Sequence, residues 1–134
     1  MKKLILYTDG AARGNPGPAG AGAYICTESG EVVAEIAEYL GETTNNVAEY
    51  AGLLAGLRKL VALGAQEVDI RADSELMVKQ LNGQYRVKHP NLIPLYREAK
   101  GLLLKIPLVK IRHVRREMNK DADRLSNQAI DERP

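Results

Sequence analysis

The chain has 134 residues, 45% hydrophobic and 27% charged, with a formal net charge of +2. That length predicts one domain, residues 1–134, with a sizeable core, and the composition excludes an intrinsically disordered chain. So small a net charge does not by itself demand a polyanionic partner. The lone Cys26 excludes an intramolecular disulfide and a cysteine zinc site. Lys2 and Lys3 precede an apolar run too short for a signal peptide or a membrane span, so a cytoplasmic protein is expected.

In chain order, Lys3 to Thr8 is a continuous apolar run, the pattern of a central strand. The Gly/Pro-rich stretch from Gly10 to Gly20 predicts a turn. Strands follow at Gly20 to Thr27 and Glu31 to Leu40, joined by Glu28-Ser29-Gly30, and the mixed pattern of the second suits a sheet edge. Thr43-Thr44-Asn45-Asn46 offers N-cap chemistry for a helix that runs to Leu63 and stops at Gly64, with Glu49 in capping-box range. A strand from Glu67 to Ala72 and a helix from Ser74 to Leu81 come next, the helix ended by Asn82-Gly83. Leu92, Leu95, Tyr96, Ala99, Leu102 and Leu103 recur at helical spacing. Pro107 opens a last strand through His113, and Asn119 to Ile130 reads as a closing helix.

This order predicts an α/β layer with a mixed sheet. The helix after the three-stranded meander is a crossover, so the fourth strand should lie parallel to the first, at the point where strand order reverses. Ligands of open α/β sheets bind beyond the carboxyl ends of such strands. Asp9 and Asp73 stand at those ends. Each alone also reads as a cap: Asp9-Gly10 is a common turn dipeptide, and Asp73 precedes a helix. Glu49 shares a helical row with Leu53, Gly56 and Leu60, at the margin of the apolar stripe, where a carboxylate needs a partner. A capping contact to Asn45 or Asn46 is one such partner, and a shared cation is another. Converging carboxylates repel one another unless a cation joins them, and magnesium favours their hard oxygens. Two ions about 3.5–4 Å apart would suit phosphodiester hydrolysis. Neither His89 nor His113 has a partner histidine nearby, so the spacing does not support zinc. The glycine-rich segment also lacks the Gly-Lys-Ser/Thr ending of a triphosphate loop, which disfavours a nucleotide phosphotransferase. Asn15, Thr44, Asn45 and Asn46 supply uncharged groups able to grip a sugar edge, in addition to forming turns and caps.

Four segments, in order, resemble the successive motifs of type 1 ribonuclease H. They are Tyr7-Thr8-Asp9-Gly10-Ala11-Ala12-Arg13-Gly14-Asn15-Pro16-Gly17, Thr44-Asn45-Asn46-Val47-Ala48-Glu49, Ala72-Asp73-Ser74 and Asn119-Lys120-Asp121-Ala122-Asp123-Arg124-Leu125. The resemblance implies a five-stranded mixed sheet, three antiparallel strands then two parallel, with helices on both faces. It implies a metal-dependent endonuclease that cleaves the RNA strand of RNA–DNA hybrids and leaves 5′-phosphate and 3′-hydroxyl ends. Asp9, Glu49, Asp73 and Asp123 are then the metal-binding catalytic acids for two Mg²⁺ or Mn²⁺ ions, Asp123 being selected over Asp121 by the Asn-x-x-Ala-Asp pattern. A monomer acting on hybrid duplex, with no obligate protein partner, is expected. Alternative readings are a non-catalytic nucleic-acid-binding module of the same fold and a nuclease that also cuts double-stranded RNA. Many bacterial members carry a glycine-histidine loop before the last acid. Here His113-Val114-Arg115-Arg116-Glu117-Met118-Asn119 is shorter, so no histidine is carried over and Arg116 is the candidate for handling phosphate. The lysine- and tryptophan-rich handle of many relatives is also missing, and Tyr85 stands where an aromatic could meet the DNA strand. With fewer phosphate contacts, hybrid binding should be modest and salt-sensitive.

Overall fold

A computed structural model describes residues 3–133; Met1, Lys2 and Pro134 of the expected domain, including the Lys2 noted above, lie outside the described residues. Strands β1 (Leu4–Ala12), β2 (Gly17–Thr27) and β3 (Val32–Thr43) form an antiparallel meander. Helix α1 (Asn45–Ala62) crosses over to β4 (Glu67–Ala72). Helices α2 (Glu75–Leu81) and α3 (Ile93–Leu103) then lead to β5 (Leu108–His113). A 3₁₀ turn, Arg116–Met118, precedes the closing helix α4 (Lys120–Asp131). The sheet order is β3-β2-β1-β4-β5, with β4 parallel to both β1 and β5. The expected five-stranded mixed sheet is therefore present, with β1 central and β3 at an edge.

The predicted turn over Gly10 to Gly20 is too long. β1 continues to Ala12 and β2 begins at Gly17, because the small residues of both strands pair in register, Ala12 opposite Ala19 and Gly10 opposite Ala21. Only residues 13 to 16 turn, closed by the Arg13 N–H donating to the Pro18 carbonyl at 2.8 Å. Asp9 is thus a strand residue and caps no turn.

Helix α1 lies on one face of the sheet and α4 on the other, across β1, β2 and β3. Leu6, Ile25 and Ile70 of the sheet and Leu53, Leu57 and Leu60 of α1 are fully buried in one core, each worth about 1.5–3 kcal/mol of transfer free energy. Tyr50 is buried with them, and its hydroxyl donates to Gln80 Oε1 at 2.6 Å, which satisfies the polar end and ties α1 to α2. Helix α3 packs on α1 through Ala99 and the half-buried Leu95, Tyr96, Leu102 and Leu103. Small residues of α4, Ala122, Ser126 and Ala129, face Gly20 and Gly22 of β2.

Candidate active site

The last parallel pair between β1 and β4 sets Thr8 opposite Ala72. One residue further along each strand come Asp9 and Asp73, so the parallel register itself puts the two aspartates side by side at the carboxyl ends. Asp73 does not cap α2. That role belongs to Ser74, whose hydroxyl accepts from the Met77 N–H at 3.3 Å.

Glu49 reaches the same point from α1, one turn inside the helix. It is not a capping-box residue: Thr44 is the N-cap and Val47 N–H is its partner at 3.3 Å. The Glu49 Oε1 instead accepts from the Gly10 N–H at 2.9 Å, and the same N–H donates to Asp9 Oδ1 at 2.8 Å. Helix α1 can come this close because Gly10 has no side chain. A Cβ there would overlap the Ala48 carbonyl and the Glu49 nitrogen, and one on Gly52 would overlap the Asp9 carbonyl. The mirror situation holds on the other face. Gly22 pairs directly with Asp9 across the β1–β2 ladder, and a Cβ on it would overlap the Ala122 carbonyl. Helix α4 therefore sits down on the strand beside Asp9, with Asp123 the next residue along.

One carboxylate oxygen each from Asp9, Glu49 and Asp73 lies within 4.8 Å of the others. Asp123 stands outside this set of three, yet it interacts with Asp9 and contributes to holding its proton. Burial pushes the Asp9 carboxyl up to about 7, helped by the charge of Asp73. Burial likewise raises Glu49 well above the carboxylate range, reinforced by the charges of Asp9 and Asp73. Without a cation the pair keeps a proton between them. Glu49 Oε2 is buried with no hydrogen-bond partner. Three converging hard oxygen donors, with an unsatisfied buried oxygen on Glu49, fit a divalent cation of the magnesium type.

Asn119 supports the cluster and has a role that motif matching alone does not assign. It is buried, and its Nδ2 donates to the Thr8 carbonyl at 2.9 Å and to Asp73 Oδ2 at 3.2 Å, tying the approach to α4 onto β1 and orienting Asp73. Its place four residues before Asp123, in the Asn-x-x-Ala-Asp pattern, is visible in the sequence, but only the fold shows what it touches. Of the sugar-gripping candidates, Asn15 and Asn45 meet: Asn15 Oδ1 accepts from the Asn45 N–H at 3.1 Å, and Asn45 Oδ1 accepts from the Ala12 N–H at 2.8 Å. Asn46 is exposed beside them, and Thr44 is occupied as the cap. Tyr85 is half exposed in a groove of about 680 Å³ with Arg86, Tyr96 and Arg97, and Lys79 Nζ sits 5.1 Å from its ring centre. Arg116 is exposed in the 3₁₀ turn between β5 and α4. His113 ends β5 and is exposed.

Residues 7–129 match the family described as reverse transcriptase-like. The bifunctional protein Rv2228c of Mycobacterium tuberculosis is 46% identical over 130 residues, which are 96% of this chain and 36% of that protein. Ribonuclease HI of Halobacterium salinarum is 40% identical over 130 residues, 97% of this chain and 65% of the relative. The solved N-terminal RNase H domain of Rv2228c superposes with a TM-score of 0.94 at 45% identity, covering 96% of this chain and 99% of that one. This chain belongs to the ribonuclease H family.

Another solved member, LC11-RNase H1 in complex with an RNA/DNA hybrid, matches this ribonuclease H-family chain at a TM-score of 0.91 and 45% identity, covering 96% of each. The chain spans little more than a third, 36%, of the full length of Rv2228c.

Proposed function

We propose that this chain is an endoribonuclease that hydrolyses the RNA strand of RNA–DNA hybrids, leaving 5′-phosphate and 3′-hydroxyl ends. The observation that carries the reading is the convergence of Asp9, Glu49 and Asp73 within 4.8 Å at the strand ends of a ribonuclease H-family fold, with Asp123 beside Asp9. The hybrid bound to LC11-RNase H1 supports the substrate class. Asp9, Glu49, Asp73 and Asp123 would hold Mg²⁺ or Mn²⁺, two ions per site. Bound there, such ions supply the Lewis acidity that activates water and stabilises the leaving oxygen of a phosphodiester. The chain's own residues do the rest. The Gly10 N–H and Asn119 hold three of the acids in place before any ligand arrives, so little reorganisation is needed on binding. Asn15, Asn45 and Asn46, beside Thr44 at the start of α1, offer donors and acceptors to the ribose 2′-hydroxyl, the group that distinguishes RNA from DNA. Tyr85 and its arginine-flanked groove suit a second strand, through stacking and phosphate contacts. Arg116 is assigned to phosphate near the scissile bond.

The deciding experiment presents labelled hybrid, double-stranded RNA and double-stranded DNA to the protein with Mg²⁺, Mn²⁺ or chelator. Metal-dependent cleavage confined to RNA is expected, abolished in Asp73→Asn with the fold retained. Full activity of that variant would remove Asp73 from the site. Salt-sensitive hybrid binding with no cleavage under any metal would leave a binding module instead.

A further inference from the structure

Along the solvent-facing side of α4, Asp123 begins a relay that ends in the turn between β1 and β2. Asn127, one helical turn on, donates from Nδ2 to the Asp123 carbonyl at 2.9 Å and to Asp123 Oδ1 at 3.3 Å. Its Oδ1 accepts from Arg13 Nη2 at 3.3 Å. Arg13 Nη1 donates to Asp131 Oδ1 at 2.6 Å, one further turn along the helix. From Asp123 to Asp131 the order is acceptor, amide, donor and acceptor, without a mismatch. An amide has one donating and one accepting end, and a guanidinium only donates. Arg13 can therefore meet only the oxygen of Asn127, which turns the NH₂ towards Asp123. The reverse orientation would set a carbonyl oxygen against a carboxylate and two NH groups against a guanidinium.

We infer that Asn127 and Arg13 are positioning residues for Asp123: Asn127 holds the carboxylate in place beside Asp9, and Arg13, itself held by Asp131, sets the orientation of the Asn127 amide. This deepens the metal-site reading above and rests on it. Asp123 needs such a device more than its partners do. Asp9 and Glu49 share the Gly10 N–H and Asp73 has Asn119, whereas the side-chain hydrogen bond that Asp123 receives comes from Asn127. The same turn is pinned on its other side to the start of α1 through Asn15, Asn45 and Ala12. It thus braces the two helices that bring Glu49 and Asp123 to opposite sides of Asp9.

The test is calorimetric titration of the metal-free protein with MnCl₂, using wild type, Asn127→Ala, Asn127→Leu, Arg13→Ala and Arg13→Lys, each also melted without metal and assayed on hybrid. Both Asn127 variants should bind Mn²⁺ roughly tenfold or more weakly, the usual consequence of losing an outer partner of a ligand. Their kcat should fall with KM nearly unchanged. Arg13→Ala should show a smaller loss in the same direction, restored in part by Arg13→Lys, which keeps a donor for the amide. Because Arg13 and Asp131 are exposed, the Arg13→Ala deficit should shrink in high salt while that of Asn127→Ala persists. Wild-type Mn²⁺ affinity and kcat in folded Asn127→Ala and Asn127→Leu, with only a lowered melting temperature, would overturn the inference and leave Asn127 a helix-packing residue. Failure of the wild-type protein to take up Mn²⁺ would instead overturn the metal-site reading itself.

Discussion

At the scale of single residues, the acids are arranged so that the protein keeps a proton when no cation is bound. Asp9 is raised from 3.8 to about 7 chiefly by burial, which means the folded protein binds this proton more tightly than the unfolded chain does. Its contribution to stability is complete below the unfolded value and is lost as pH rises through about 7. Metal-free protein should therefore melt at lower temperature at pH 8 than at pH 5, and Mg²⁺ should raise the melting temperature more at pH 8. A metal-induced shift equal at both pH values, read by differential scanning calorimetry, would contradict the raised carboxyls. Asn119 belongs to the same scale. Asn119→Ala removes both donations and leaves the Asp73 carboxylate with one partner fewer, so about 1–3 kcal/mol of stability should be lost in urea unfolding, together with most activity.

At the scale of elements, the site exists because two helices come closer to the sheet than side chains would permit. Gly10 and Gly52 admit α1, and Gly22 admits α4. Gly22→Ala sets a methyl against the Ala122 carbonyl, so α4 must lift and carry Asp123 away from Asp9. The expected cost is about 1–3 kcal/mol, as for other overpacked contacts, with activity falling further than stability. Gly101→Ala is the matching control. Its Cβ meets nothing within 4 Å, and in the last turn of α3 it should stabilise the helix by up to about 0.5–1 kcal/mol with activity unchanged. Paired thermal melts and turnover rates for the two variants separate close approach from a general intolerance of alanine. The buried Asp69, held by Arg71 and Arg112, does comparable work between β4 and β5, joining two parallel strands through side chains as well as through the ladder.

At the scale of the whole molecule, the substrate surface is spread thinly. The net charge is only +2, and the groups assigned to nucleic acid, Tyr85 with its neighbouring arginines and Arg116, stand on separate connections of the fold. Hybrid affinity should be modest and fall with salt, with a shallow slope in log K against log [salt] because few phosphates are contacted. Tyr85→Ala should raise KM with kcat little changed, because it removes binding remote from the reacting phosphate. Arg116→Ala should lower kcat while Mn²⁺ affinity stays the same. Steady-state kinetics on hybrid at two salt concentrations check all three, and an unaltered KM in Tyr85→Ala would remove the groove from the binding surface.

Much of this was readable along the chain. Apolar periodicity and the crossover rule carried the parallel pairing of β1 with β4 and the meeting of Asp9 with Asp73, because strand direction and handedness leave few ways to connect such elements. Thr44 and Gly64 marked the limits of α1 for local reasons of capping and backbone conformation. The turn after Asp9 was misread because glycine and alanine are weak strand formers, and only pairing with a neighbouring strand made them extend. The partner of Glu49 was equally out of reach. A capping contact and a strand amide look alike in one dimension, and the choice fell to Gly10, whose missing side chain let the helix close on β1. What the sequence determined by itself was which acids are present and which elements carry them. Only the tertiary structure decided how near they come, since that distance depends on the packing of α1 and α4 against opposite faces of one strand pair.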